Sequence, residues 1–90
     1  MTEKDFSLRL AKLREEKGVS ARDMSLSMGQ NPGYINNIES GKSMPSLSGI
    51  FYICEYLGIT PKDFFDTDTA SPSKANELYA IAKGLSNEQL

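Results

Sequence analysis

Asn36, Asn37 and Ser40, preceded at helical spacing by Gly33, are the residues of this chain best suited to read another molecule. Spaced i, i+3, i+4 and i+7, the four share one side of a helix opposite Ile35 and Ile38 and make a face that is polar yet uncharged. Asparagine is a weak helix former, and a solvated helix face more often carries Lys, Glu or Arg, so paired asparagines point to a need for amide groups. A carboxamide offers a donor and an acceptor side by side. That pair matches N6 and N7 of adenine in the major groove, where each good two-point contact discriminates by about 1–3 kcal/mol. Asn37 is the first candidate for such a contact and Asn36 the second, with Gly33 and Ser40 completing the base-reading set. The plain alternative is that both asparagines are surface residues, or touch only phosphate or water.

Such a face is useful only if something holds it still, and residues 21–40 carry the spacing of two short helices crossing at a steep angle. Small Ser25 stands where two helix backbones would approach, and Gly29 where the chain must turn through positive φ. Met24 and Met28 share a face of the earlier helix, and Ile35 and Ile38 a face of the later one, so the four can close on one core. Ser20-Ala21-Arg22-Asp23 reads as a capping box, and Asn31-Pro32 as an N-cap followed by proline at the first helical position.

The flanking elements are helical too. A first helix of about Asp5 to Lys17 puts Phe6, Leu10 and Leu13 on one face and stops at Gly18. After a loop from Ser40 to Pro45, Ser46 caps a fourth helix running to Leu57 with Gly58 as its stop, its stripe read as Leu47, Ile50, Phe51, Cys54 and Leu57. Thr60-Pro61-Lys62-Asp63 starts a fifth helix carrying Phe64 and Phe65. The fold class expected is all-α, with residues 1–66 as one five-helix domain. Residues 67–90 read as a linker and an added amphipathic helix of about Pro72 to Lys83, with Leu78, Ile81, Ala82 and Leu85 as its stripe. Ser86-Asn87-Glu88-Gln89 looks like one more capping box, so the chain is expected to have continued past Leu90.

Ninety residues with 39% apolar content bury one modest core, and no apolar run is long enough for a membrane span or a secretory signal. One cysteine, Cys54, on an apolar stripe reads as core filling and fits a reducing cytoplasm. Catalysis has no purchase here: histidine is absent, Cys54 has no base partner, and no serine sits in a nucleophile elbow or phosphate loop. No metal, cofactor or small-molecule site is expected. Asp66, Asp68 and Glu77 fit three places of a calcium loop, but Ala70, Ser71 and Lys74 do not, and the required glycine is missing. The net charge of −2 weighs against a nucleic-acid partner, although residues 1–42 sum to +1 and residues 43–90 to −3.

From Leu10 to Asp66 the chain resembles the lambda-repressor-like helix-turn-helix family, also called the Cro or XRE type. The resemblance rests on Leu13-Arg14-Glu15-Glu16-Lys17-Gly18, on the run from Gly33 to Lys42, on Pro45-Ser46-Leu47 and on Tyr56-Leu57-Gly58-Ile59. It implies a five-helix bundle whose third helix, at about residues 32–40, enters the major groove of double-stranded DNA, with dimers spanning two half-sites. It also implies an ion pair between Arg14 and Glu39. An Arg and a Glu so placed could meet through two hydrogen bonds, the alternative being two solvated charges. The chain departs from the pattern at Ala21, often a phosphate-binding glutamine, at Gln30, usually apolar, and at Pro32 and Gly33, where several relatives carry base-reading side chains. There the bare amides of Gly33 and Tyr34 are left to face a phosphate.

Phosphate contacts are expected from Ser20, Arg22, Asn31, Tyr34, Lys42 and Ser43, with Lys17 in addition. So few cations imply weak binding by a single copy, and hence a homodimer on a palindromic site. Tyr52, Ile53, Tyr56 and Phe65, with Leu78 and Ile81, are the dimer candidates. The expected function is a transcriptional regulator of bacterial or phage type, a repressor before an activator. The competing reading is a protein-interaction or antitoxin-like module of the same fold that has lost specific DNA binding.

Overall fold

The computed structural model describes residues 1–66, which form five helices and no strand: α1 (Glu3–Lys17), α2 (Ala21–Ser27), α3 (Tyr34–Glu39), α4 (Leu47–Leu57) and α5 (Pro61–Phe65). The added C-terminal helix, with Leu78 and Ile81, lies outside the described residues.

Local chemistry sets most boundaries. α1 starts at Glu3, two residues before the expected Asp5, because Thr2 and Asp5 form a reciprocal capping box. The Asp5 carboxylate accepts from the Thr2 amide at 2.9 Å, and that bond is the first cause holding its pKa below the ordinary value. Ser20, Ser46 and Thr60 each accept from the amide three residues on, capping α2, α4 and α5. Gly18 and Gly58, at φ 81° and 74°, end α1 and α4 in the left-handed region.

The start of α3 differs from expectation. Asn31 does not cap a helix beginning at Pro32. Its Oδ1 accepts from the Gly33 amide at 3.0 Å and its carbonyl from the Tyr34 amide at 3.1 Å, closing a turn around Pro32 and delaying the helix to Tyr34. An Asn side chain folded onto its own chain two residues on is the usual rival of an N-cap.

Every helix contributes to one core: Phe6, Leu10 and Leu13 from α1, Met24 from α2, Ile35 and Ile38 from α3, Ile53 and Cys54 from α4, and Phe64 from α5. Phe64 is fully buried, its ring 4.9 Å from Phe6 and 5.2 Å from Phe65 between centroids. Burial pushes the Cys54 thiol pKa up, so the group is a small inert hydrophobe. The buried side of α4 is rotated from the expected stripe: Gly49, Ile53 and Cys54 face inward, whereas Leu47 and Phe51 remain 67% and 52% exposed. Among the described residues no helix is long and apolar enough to cross a membrane.

Two polar residues of α1 are buried among these apolar side chains. Ser7 donates to the Ile38 carbonyl at 2.7 Å. Arg9 donates through Nε to the Phe64 carbonyl at 2.8 Å and through Nη2 to the Asp63 carbonyl at 2.7 Å, closing the C-terminal end of α5.

Candidate nucleic-acid interface

The unit that presents the amide face is built around Ser25. Its hydroxyl donates to the Ala21 carbonyl at 2.7 Å and accepts from the Ile35 amide at 2.9 Å, so one fully buried oxygen joins α2 to the first turn of α3. A larger side chain at this position would hold the two helices apart. Gly29, at φ 75°, makes the turn between them, and Gln30 returns its amide to the Ser25 carbonyl at 2.9 Å.

The other end of α3 is held by α1. Arg14 Nε meets Glu39 Oε2 at 2.7 Å and Nη2 meets Oε1 at 3.0 Å, a two-point charged pair, while Nη1 donates to the Val19 carbonyl at 2.8 Å. The two side chains are 15% and 12% exposed. The Glu39 bond is the chief cause raising the Arg14 pKa above its already high ordinary value.

On the outward side of α3, Asn36 and Ser40 are exposed and Asn37 and Gly33 are half-buried. The loop after the helix folds back on this ridge: the Asn37 carbonyl accepts from the Lys42 amide at 2.9 Å, the Ser43 amide at 3.2 Å and the Ser40 hydroxyl at 3.2 Å. Lys42 and Ser43, both exposed, are thereby fixed beside the amide ridge.

Other expected contacts are differently placed. The amides of Gly33 and Tyr34 are not left bare for a phosphate, since Asn31 accepts from both, and the Ile35 amide is taken by Ser25. Gly33 thus brings to the ridge neither a side chain nor an N–H. The Ser20 oxygen accepts from the Asp23 amide at 3.0 Å. Arg22 is exposed on the first turn of α2. Lys17 lies with Nζ 5.3 Å from the centroid of the Tyr56 ring, an attraction that draws it toward α4.

Tyr34 is half-buried across the start of α4, and burial raises its phenol pKa. A Cβ at Gly49 would lie 2.8 Å from the Tyr34 hydroxyl and 3.1 Å from Pro45 Cβ, so Gly49 leaves the space in which Tyr34 sits. In Gly49→Ala, alanine favours the helix by about 1 kcal/mol while the ring is forced outward, so stability is expected to change little. The pKa of Tyr34, raised here only by desolvation, is expected to fall back toward its ordinary value. A phenolate absorbance titration, compared with that of Tyr34→Phe, checks this, and an unmoved Tyr34 would show that another neighbour yields instead.

Of the residues expected at a dimer contact, Ile53 is corrected: it is fully buried in the core of its own protomer and offers nothing to a partner. Tyr52 is 59% exposed, Phe65 is partly exposed but packed on Phe6 and Phe64, and Tyr56 is half-buried beneath Lys17. Leu47 and Phe51 of α4, expected in the core stripe, are exposed instead and add apolar surface beside Tyr52. Among the described residues no group of three or more His, Cys, Asp or Glu side chains could hold a metal.

Two short helices locked by a buried serine, a glycine turn between them and an amide ridge on the second define a helix-turn-helix. Residues 8–68 match the family model described as a helix-turn-helix domain, and the chain belongs to that family, of the Cro/XRE type. The family is one of DNA-binding regulatory domains. No curated protein and no solved structure matches the chain.

Proposed function

We propose that this protein is a transcriptional regulator, acting as a repressor, that binds a palindromic DNA site as a homodimer and reads it with α3. The observation that carries the reading is the uncharged ridge of Asn36, Asn37 and Ser40, outward-facing on a helix held from both ends and flanked by Lys42 and Ser43. Asn37 and Asn36 read base edges through their carboxamides. Lys42, Ser43, Arg22 and Tyr34 contact phosphates and set the register. Occupancy of a site overlapping a promoter is enough to block polymerase. With few cations near the ridge, one copy binds weakly, and two linked copies supply the affinity, meeting through Tyr52 and the neighbouring exposed side chains of α4.

Selection from random duplexes tests this. The wild-type chain is expected to enrich a palindrome, and Asn37→Ala to lose about 1–3 kcal/mol of discrimination at one position of each half-site. Lys42→Ala is expected to weaken all sequences alike and to lower the salt slope by about 1. Binding of the wild type no tighter than to bulk DNA would reject the reading in favour of a protein-interaction module, which the engagement of the Gly33 and Tyr34 amides by Asn31 would also suit.

A further inference from the structure

We propose that Ser7 and Ser25 are positioning residues for recognition, their hydroxyl groups fixing the pose of α3, one at each end, and thereby where the amide ridge meets DNA. This rests on α3 being the reading helix. A helix of six residues is too short to define its own placement. Its buried side, Ile35 and Ile38, is purely apolar, and apolar contact sets the depth of a helix without fixing its tilt or slide. Directional bonds at its ends do fix them: beside the Arg14–Glu39 pair, two buried hydroxyls grip its backbone. Ser25 grips the Ile35 amide from α2 at 2.9 Å, and Ser7 grips the Ile38 carbonyl from α1 at 2.7 Å. The two hydroxyl-bearing residues are 0% and 5% exposed, so water does not compete for these bonds.

The two anchors differ in what their loss leaves behind. The Ile38 carbonyl also accepts from the Gly41 amide at 3.1 Å, so Ser7→Ala removes a tether without orphaning its partner. Ser25→Ala strips the Ile35 amide of the side-chain oxygen it bonds and is the harsher change.

The experiment uses the full chain. Wild type, Ser7→Ala and Ser25→Ala are compared in affinity for the duplex that the wild type enriches and for a scrambled duplex. Residual dipolar couplings of the α3 amides are measured against those of α1. Scrambled-duplex binding is expected to hold, while affinity for the enriched duplex falls by up to about fivefold, the cost of returning α3 to a pose that one net hydrogen bond had held. The α3 couplings are expected to fit a changed axis. A merely structural role would lower melting and leave the ratio of the two affinities alone. An unchanged ratio overturns the proposal, as does an unchanged α3 axis. Should Ser25→Ala fail to fold, Ser7→Ala decides by itself. Enrichment of no duplex by the wild type would end the reading of α3 as a DNA reader, and the couplings alone would then decide whether the two hydroxyls set its pose.

Discussion

Arg14→Met is expected to cost about 3 kcal/mol of stability, because it leaves the Glu39 carboxylate largely enclosed with its cation removed. Methionine fills most of the volume of the arginine stem, so the loss reports the charge and its bonds more than a cavity. Three donors disappear together: two on Glu39 and one on the Val19 carbonyl. For a domain of this size each kcal/mol moves Tm by roughly 4–8 °C, so a fall well beyond 10 °C is the result to look for. Melting followed by circular dichroism in the double variant Arg14→Met, Glu39→Leu separates the two parts of the effect. The double variant is expected to recover much of the loss, since replacing both partners by apolar groups removes the stranded charge. A single variant melting like the wild type would show that the pair contributes no more than two solvated charges do.

Phe64→Ala is the second large loss, about 3–5 kcal/mol. The ring is fully buried against Phe6 and Phe65, and it is the one buried apolar side chain that α5 contributes. Five residues cannot sustain a helix unaided, so removing the ring also loosens the carbonyls that Arg9 holds. A small domain has about 5–15 kcal/mol in all, which places the variant near the edge of folding at room temperature. Denaturant titration checks it: the midpoint is expected to fall steeply, and one shifted by no more than a conservative core change would mean that Phe65 swings in to replace the ring.

What the sequence disclosed and what it hid follow from how local the governing forces are. Caps and stops act over three or four residues, which is why Ser20, Ser46 and Thr60, with Gly18, Gly29 and Gly58, marked out the chain correctly. Asn31 misled because the same side chain serves two local motifs, and nothing in Asn-Pro-Gly alone chooses between a cap and a tight turn. α4 misled because it is apolar on most sides: Leu47, Ile50, Phe51 and Cys54 satisfy helical spacing as well as Gly49, Ile53 and Cys54 do. Packing selects the face, with Ile53 and Cys54 entering the shared core and Gly49 leaving room for Tyr34, and those contacts join residues far apart in the chain. Ser7 and Arg9 were missed for a related reason. Both are polar residues bordering an apolar stripe, a pattern that reads as solvent-facing until the carbonyls of Ile38, Asp63 and Phe64 arrive from elsewhere. The asparagine ridge was legible because its signal is compositional, amides standing where charges would be ordinary.

The polar grips of α1 occupy the two borders of its buried arc. At about 100° per residue, Ser7 and Arg14 fall on one border and Arg9 on the other, with Phe6, Leu10 and Leu13 between them. One border holds the end of α3 and the other the end of α5. A single helix is thus riveted to both, and sliding α3 against α5 requires breaking a buried or charged bond. Opening α3 away from α1 therefore costs those bonds together, and among the described residues α3 and α5 are expected to lose their amide-exchange protection in step with α1 rather than ahead of it.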